Sequence, residues 1–500
     1  MHEMEESDRG IVAKRTANKE PSAELSERRP LPKGNPQYPT THHAQKWARV
    51  HQGIERIREF VKRKPKEKLT TLLHHINEES LKAAYFALKR DSAPGVDKMT
   101  WKAYRADLDH RIEDLCERVH RGTFRATPSR RVNIPKPDGG TRPLGIAALE
   151  DKIVQTAMVK CILEPIYEHE FCGFSYGFRA GRSAHDALDA LAYVIERRRV
   201  NCVVDADIRK FFDRVDQRWL MRFLRHRIGD ERVLRIIMKF LKAGVMEDGS
   251  WRESDQGTPQ GAVISPILAN LYLHYVLDLW FKVQRKSQKF GGEAYIVRYA
   301  DDFVVCFQYK EEAERFLQDL QIRLEKFGLC LHPDKTRLIR FGRFAERDRR
   351  KRGAGRPETF DFLGFTHYCR KTRKGKFGLG RKPIAKRMAR FLKRIREQLI
   401  RRMHQPVHET GKWLGQVLNG WLNYYAVPTS TPYLKRCYAR LRWIWLQVLR
   451  RRSQKDRTKW EQLNALTERY WPKPKVRHTW PDTRFTVMHA SATQGRSRMR

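Results

Sequence analysis

Two apolar runs that end in carboxylates stand out in the middle of the chain. Residues 200–208 (VNCVVDADI) form a short apolar run that closes on Asp205 and Asp207, and residues 295–307 (YIVRYADDFVVCF) carry Asp301 and Asp302 between two apolar halves. Runs of this length that are rich in Val, Ile and Phe predict buried strands, and the acidic pair predicts the turn of a hairpin.

The remaining hydrophobic pattern is mostly helical. Apolar segments flank PDGG within 130–146, which predicts a hairpin because Asp-Gly-Gly favours a tight turn. After residue 381 the apolar residues recur at steps of three and four, and together with two aromatic-rich segments they predict a three-helix bundle. Predicted helices lie at 148–170, 183–198, 217–243, 263–284 and 311–327, further strands at 336–342 and 360–368, and a basic loop at 343–358.

The net charge of the chain indicates the class of its binding partner. The chain holds 102 Lys and Arg against 58 Asp and Glu, a formal charge of +44, and the excess is spread along most of its length. Such a surface favours a polyanion, and nucleic acid is the natural one, with a merely soluble basic surface or anionic lipid as the alternatives.

Other function classes lose support. No run of about 18 apolar residues predicts a membrane span, and residues 1–30 lack the apolar centre of a signal peptide. The eight cysteines are scattered without zinc-site spacing, which favours a reduced, cytoplasmic setting.

The carboxylates suggest a metal site. Neighbouring strand residues point to opposite faces, so Asp301 and Asp302 converge only at a turn, where they repel each other unless a cation lies between them. If the two strands are adjacent, Asp207 faces that turn, and three carboxylates then hold two Mg²⁺ ions about 3.5–4 Å apart. Asp205 shares the face of Asp207 and ranks second as a ligand, and an ordinary turn is the alternative for the acidic pair.

Several longer motifs carry a family resemblance. YADD with DADIRKFFDRVD resembles the palm motifs of reverse transcriptases, and the whole set resembles bacterial group II intron reverse transcriptase/maturases of the endonuclease-less type. The other matching segments are APGVD (93–97), IPKPDGGTRPLGI (134–146), GFSYGFRAGRSAHDAL (173–188), GTPQGAVISPILANLYL (257–273), LHPDKT (331–336), FDFLGF (360–365) and NGWLNYY (419–425).

The resemblance implies an α+β fold, a right-hand polymerase with fingers and palm followed by an α-helical thumb, called maturase domain X. The expected divisions are a flexible basic extension (1–64), fingers (65–200), palm (201–375), thumb (376–455) and a basic C-terminal appendage (456–500). The appendage is a candidate DNA-binding segment, and no HNH nuclease is expected in it.

The resemblance also assigns site residues. Asp207, Asp301 and Asp302 match the catalytic metal ligands, and Phe212 matches the ring that excludes a 2′-hydroxyl. The remaining matches for dNTP binding are Lys136, Arg142, Gln260 and Lys335, the last as a proton donor to pyrophosphate. The matches for primer or template contact are Arg179, Arg182, Phe362, Leu363 and Gly364.

The function that follows is RNA-directed DNA synthesis by two-metal nucleotidyl transfer, together with binding of the intron RNA to assist splicing and mobility. The implied partners are intron RNA, an RNA template with a DNA primer, dNTPs and a DNA target, with no membrane. Two alternatives stay open from the sequence: a host-adopted reverse transcriptase in phage defence, and a catalytically silent RNA-binding splicing factor. An RNA-dependent RNA polymerase is disfavoured by Phe212.

Overall fold

The computed structural model describes residues 41–135, 141–247, 250–252, 257–258, 261–287, 289–453 and 458–488. Within these ranges the α-helices are α1 (Thr41–Arg63), α2 (Glu78–Ala87), α3 (Trp101–Arg105), α4 (Leu108–Arg121), α5 (Leu149–Met158), α6 (Glu164–Tyr167), α7 (Ala184–Arg197), α8 (Phe211–Arg214), α9 (Gln217–Arg227), α10 (Glu231–Lys242), α11 (Ser265–Leu273), α12 (Leu279–Lys286), α13 (Lys310–Lys326), α14 (Ala345–Lys351), α15 (Ala385–Arg401), α16 (Val407–Tyr425), α17 (Thr431–Arg450), α18 (Trp460–Tyr470) and α19 (Pro481–Met488).

The strands are β1 (Ser129–Pro135), β2 (Thr141–Ile146), β3 (Cys202–Asp207), β4 (Val245–Glu247), β5 (Ser250–Arg252), β6 (Ala294–Tyr299), β7 (Asp302–Phe307), β8 (Arg337–Arg340), β9 (Phe360–Phe362), β10 (Phe365–Lys371) and β11 (Phe377–Pro383). They form three sheets with the orders β2-β1-β4-β5, β6-β7-β3-β8 and β11-β10-β9. The mixture of helices and sheets is the α+β class that the sequence predicts.

The sheet β6-β7-β3-β8 is antiparallel throughout and apolar on both faces. Val204, Phe303 and Val305 belong to a large core shared with helices between α1 and α13 other than α7. Val203 and Val304 belong to a second core that includes α7 and β9–β11. Because side chains alternate between faces, both faces of each strand need apolar residues, which explains the uninterrupted apolar runs in the sequence.

The predicted hairpins and the bundle are present. β1 pairs antiparallel with β2 from Arg130↔Ile146 to Pro135↔Thr141, while the predicted PDGG turn falls at 137–140, outside the described residues. β6 pairs with β7 around the acidic turn. Helices α15, α16 and α17 enclose a third apolar core, built around residues such as Leu399, Leu418 and Trp445.

Three sequence predictions need correction. Part of the supposed flexible extension, residues 1–64, is the helix α1, which buries Val50, Ile54, Ile57 and Val61 in the large core, while residues 1–40 lie outside the described part. The basic loop at 343–358 contains helix α14. The single strand predicted at 360–368 is the hairpin β9–β10, and β11 was not predicted.

The described part of the C-terminal appendage packs onto the rest of the chain, while its proposed binding of DNA stays a prediction. We call residues 471–488 the C-terminal strap. Trp471 stacks on Trp445 of α17 at 5.3 Å between ring centroids, and Phe485 stacks on Tyr193 of α7 at 4.4 Å. The strap therefore links the helical bundle to the helix that covers the central sheet.

Candidate active site

The pairing of β3 with β7 brings distant carboxylates together. The register sets Asp207 directly opposite Asp302, and Asp302 is also the partner of Tyr299 across the hairpin. Residues directly opposite each other in an antiparallel pair have Cβ atoms about 4.5–5.5 Å apart. The predicted adjacency of the two strands is thus confirmed, although 95 positions separate Asp207 from Asp302 in the sequence.

Alternation places a second aspartate of β3 on the same face. Asp205 lies two residues before Asp207 and opposite Val304, so it is the diagonal neighbour of Asp302. The guanidinium of Arg337 on β8 donates to Asp205 at 3.1 Å. Asp205 is therefore already held by an arginine, whereas the sequence left it as a possible metal ligand.

Burial and the charges of neighbouring carboxylates raise the pKa values of two of these aspartates. Burial, followed by the charges of Asp205, Asp301 and Asp207, raises the pKa of Asp302 from 3.8 to about 7. Burial also raises the pKa of Asp205, and the hydrogen bond and charge of Arg337 oppose that rise. Burial, strengthened by the neighbouring charges, therefore disfavours the ionised form of Asp302.

A lysine supplies one of the nearby cations. The ammonium of Lys335 lies 2.7 Å from an oxygen of Asp207. The segment that carries Lys335 is anchored beside the end of β3, because His332 donates its backbone N–H to the carbonyl of Asp207 at 2.8 Å. The structure thus places Lys335 beside the carboxylates, as the family match implies.

Oxygen donors in a negatively charged, partly buried cluster are the ligands that hard divalent cations prefer. The raised pKa of Asp302 shows that a cation there would relieve unfavourable charge. In the described part of the chain, no three His, Cys, Asp or Glu side chains are gathered as a ready metal-binding group. The chemistry of the residues fits a divalent cation, and their side chains are not already collected around one point.

The turn between β6 and β7 has a constrained backbone. Ala300 adopts a left-handed conformation, with φ of +58°. A Cβ added to Gly177 would lie 2.4 Å from the backbone nitrogen of Ala300, so only glycine permits this approach. The loop that contains Gly177 is therefore packed directly against the turn that presents Asp301.

Phe212 lies close to the loop that begins the GTPQG motif. Thr258 donates its backbone N–H to the Phe212 carbonyl at 2.8 Å, and Gly257 likewise donates to Val215 at 2.8 Å. Phe211 is buried, whereas Phe212 is half-buried and meets it edge to face at 5.4 Å. The exposed part of Phe212 leaves a ring surface available beside this loop.

The predicted dNTP-binding residues are only partly placed. Arg142 belongs to β2 opposite Ile134. β2 also lies against the same loop, because a Cβ at Gly261 would meet the Gly145 carbonyl at 2.6 Å. Lys136 and Gln260 lie outside the described residues.

Arg179 is not placed to contact a template, contrary to the sequence prediction. Its side chain is buried, and its guanidinium bonds to the Glu168 carboxylate at 2.7 Å and to the carbonyls of Cys172 and Ser175 at 2.8 and 2.7 Å. The neighbouring Arg182 donates to the Gly173 carbonyl at 2.5 Å and covers the ring of Tyr176. Both arginines hold the 172–183 loop in place.

The proposed primer-gripping residues form the turn of the β9–β10 hairpin. Leu363 and Gly364 have φ of +46° and +84°, as a two-residue type I′ turn requires, whereas Phe362 is buried in the second core. Tyr424 of α16 donates its hydroxyl to the Leu363 carbonyl at 2.8 Å. The turn is therefore seated against the helical bundle.

Sequence reasoning missed a buried polar group beneath the acidic turn. Arg298 of β6, Asp278 and Asn270 are at most 1% exposed and bond to one another. A lone arginine inside an apolar strand, with an aspartate inside an apolar helical segment, was the signal that could have found this group.

Comparison with known proteins extends the geometric findings. A family model described as "Reverse transcriptase (RNA-dependent DNA polymerase)" matches residues 134–367. "Protein YkfC" of Escherichia coli is 35% identical over 274 residues, which cover 49% of this chain and 72% of that protein. "Group II intron-encoded protein LtrA" of Lactococcus lactis is 39% identical over 184 residues, 36% of this chain and 30% of that protein.

A further relative is the "Uncharacterized 91 kDa protein in cob intron" of Schizosaccharomyces pombe, 36% identical over 282 residues, or 54% of this chain and 34% of that protein. The match thus covers most of the first relative and about a third of each of the other two. Among the described residues, no helix has the length and apolar content needed to cross a membrane.

Proposed function

Because the chain belongs to the family of group II intron-encoded reverse transcriptases and maturases, which have a fingers and palm polymerase fold, we propose that it extends a DNA primer on an RNA template. In this proposal Asp207, Asp301 and Asp302 are the catalytic residues and the ligands of two Mg²⁺ ions. Reverse transcriptases use divalent metal ions; the choice of magnesium and the number of ions are part of the proposal.

One observation carries the proposal, namely the register that sets Asp207 opposite Asp302 at the end of two buried strands. A pair of carboxylates in this position repels unless a cation joins it, as the raised pKa of Asp302 indicates. When bound, the ions would activate the primer 3′-hydroxyl and neutralise phosphate charge. Asp207, Asp301 and Asp302 would hold them through their carboxylate oxygens.

The protein's own residues then determine which nucleotide is accepted. The half-buried ring of Phe212 would lie under the incoming sugar and reject a 2′-hydroxyl, and Gln260 would contact the sugar and base of the same nucleotide. Arg142 and Lys136 would hold the triphosphate, because guanidinium and ammonium groups bind phosphate oxygens by charge-assisted hydrogen bonds. Lys335, whose ammonium lies 2.7 Å from Asp207, would give a proton to pyrophosphate.

The helical bundle is the proposed thumb and maturase domain, which would bind intron RNA. On α15 the buried residues Ile395 and Leu399 face the third core, whereas the basic side chains face outward. The exposed cations of this helix are Lys386, Arg387, Arg390, Lys393, Arg394, Arg396 and Arg401. Such a basic face attracts the phosphate backbone of RNA.

Arg387, in the first turn of α15, connects the thumb to the catalytic centre. Its charge lowers the pKa of Asp302, opposing the three carboxylates that raise it. A Cβ at Gly364 would lie 3.0 Å from the Arg387 guanidinium. Leu363 and Gly364 therefore lie beside Arg387, which supports the primer-gripping role proposed for these two residues, whereas Phe362, which is buried in the second core, cannot contact a primer.

The relatives named for introns do not favour the two alternatives, a host-adopted enzyme in phage defence and a catalytically silent splicing factor. The intact carboxylate set weighs against the silent factor in particular, since RNA binding alone has no use for repelling carboxylates.

The test is primer extension by the purified chain on an RNA template with dNTPs and Mg²⁺. Asp301→Ala should abolish extension while RNA binding stays within a few-fold of the unaltered protein, because the lost charge lies at the reacting atoms. Asp319→Ala, which removes an exposed carboxylate of α13, is the matched control and should extend normally. Extension by the Asp301→Ala protein at the unaltered rate would overturn the proposed site.

A further inference from the structure

The carbonyl group immediately before Asp301 is held by a buried guanidinium. Nη1 of Arg298 donates to the carbonyl oxygen of Ala300 at 3.0 Å. The peptide group that contains this carbonyl joins Ala300 to Asp301, so its orientation helps to set the direction in which the Asp301 side chain leaves the backbone. Arg298 itself is fully buried and lies on β6, two residues before the turn.

Other partners fix that guanidinium in one plane. Nε and Nη2 of Arg298 donate to the two carboxylate oxygens of Asp278 at 2.7 and 2.5 Å, and Nη1 also donates to the side-chain oxygen of Asn270 at 3.0 Å. A bidentate arginine–carboxylate pair has a defined geometry that a single point charge does not provide. These contacts therefore fix the direction in which Nη1 of Arg298 donates to the Ala300 carbonyl.

Asn270 connects the same group to the loop beneath the turn. Its side-chain nitrogen donates to the Gly177 carbonyl at 2.6 Å, and Gly177 packs against the backbone of Ala300. The backbone also links these segments, because Tyr176 donates to the Arg298 carbonyl at 2.8 Å. The turn is thus held from its own strand and from the loop below it.

These contacts hold Ala300 in a strained backbone conformation. A left-handed backbone is unfavourable for a non-glycine residue, and such a conformation persists only where the surroundings enforce it. Asp278 is the last residue of a π-helical turn, His274–Asp278, that interrupts the helix between α11 and α12. Irregular turns of this kind occur frequently at functional sites.

We propose that Arg298, Asp278 and Asn270 form a positioning unit that holds the Ala300–Asp301 peptide in the orientation needed for catalysis. A buried ion pair is weak evidence for stability, because its desolvation offsets most of its attraction, whereas it does impose a single geometry. The unit rests on the proposed function, since it acts through Asp301 and touches neither nucleotide nor metal.

Arg298→Lys is the decisive variant, because lysine keeps the positive charge and loses the planar fork. The turnover number for single dNTP addition should fall about tenfold to hundredfold, the range found when an outer residue that orients a ligand is removed. The KM for dNTP should stay within about threefold, since the unit does not contact the nucleotide. The metal concentration at half-maximal rate should rise several-fold.

A readout independent of activity is hydrogen exchange of the metal-free protein. Amides of residues 299–303 should exchange faster in Arg298→Lys than in the unaltered protein, because the turn loses its brace. The matched control is Arg227→Lys, which alters another buried arginine; its guanidinium pairs with Glu170 at 2.7 Å and donates to the carbonyl of Glu67, on segments other than the acidic turn and the π-helical turn. It should leave exchange at 299–303 and the metal dependence unchanged.

The outcomes separate this inference from the proposed function. An unaltered protein that extends no primer refutes the proposed function, while the exchange measurement still tests the brace. Arg298→Lys with unchanged exchange at 299–303 and an unchanged turnover number overturns the inference, as does a loss shared equally by Arg227→Lys. If Arg298→Lys does not fold, Asn270→Ala, which leaves the Arg298–Asp278 pair in place, must show the same two effects for the inference to stand.

Discussion

Replacing Asp302 by asparagine should stabilise the metal-free protein and inactivate it. Burial and the neighbouring carboxylates raise the pKa of Asp302 from 3.8 to about 7, so at neutral pH and above the native state carries an ionised group that it disfavours. An asparagine would keep the shape of the side chain without that charge. The site would then be more stable and unable to hold its cation, as expected where function and stability oppose each other.

The magnitude follows from the pKa values. Between pH 3.8 and about 7 the native state retains a proton that the unfolded chain has released, so rising pH favours unfolding until the native group also ionises. The destabilisation reaches about 1.5 kcal/mol at pH 5 and about 4 kcal/mol at pH 8, taking 1.36 kcal/mol for each pKa unit. The asparagine variant avoids this dependence on pH.

Thermal unfolding in EDTA buffers at pH 5 and pH 8 measures the difference. Asp302→Asn should melt above the unaltered protein at pH 8, with a smaller gain at pH 5. Asp319→Asn, which changes an exposed residue of α13, should give no such pattern. Added Mg²⁺ should raise the melting temperature of the unaltered protein more than that of Asp302→Asn. A variant that melts lower at pH 8, or gains equally at both pH values, would refute the reasoning.

Two further predictions concern substrate choice and RNA binding. Phe212→Val should raise incorporation of ribonucleotides relative to deoxyribonucleotides in competition assays, because the smaller side chain leaves room for a 2′-hydroxyl; an unchanged ratio would exclude Phe212 as the discriminating ring. Changing Arg390, Lys393 and Arg394 to Gln should weaken RNA binding and make the plot of log affinity against log salt shallower, by about 0.7–0.9 for each phosphate that is no longer neutralised. An unaltered slope would show that RNA binds elsewhere.

The sequence predicts the two carboxylate-bearing strands well because their pattern is strong. β3 and β7 are buried on both faces, so their apolar runs are continuous and their boundaries are marked by charged residues such as Asp207 and Asp302. The carboxylates come together when these two strands pair with their acidic ends side by side. The register β3–β7 fulfils that condition.

The features that were missed depend on long-range packing. Helix α1 is polar overall, and the spacing of its four buried residues gains meaning only once a core exists to receive them. Arg179 lies in a motif that predicts nucleic-acid contact, yet the loop turns its guanidinium inward onto Glu168. The local sequence does not indicate whether an arginine contacts a ligand or other residues of its own protein, because both arrangements satisfy its five N–H donors.

The C-terminal strap makes some contacts of α7 available only at the end of protein synthesis. Arg484 on the strap pairs with Asp189 at 3.2 Å and with Asp186 at 3.4 Å, across 298 residues in the latter case, and Arg197 pairs with Asp482. Contacts of such long sequence separation form late in folding, because the intervening chain must first be ordered. Arg381, which precedes the bundle, already pairs with Asp189 at 3.2 Å, whereas the second arginine, Arg484, is added only when the strap is made. A nascent chain that stops short of the strap therefore leaves α7 without the contacts of Arg484.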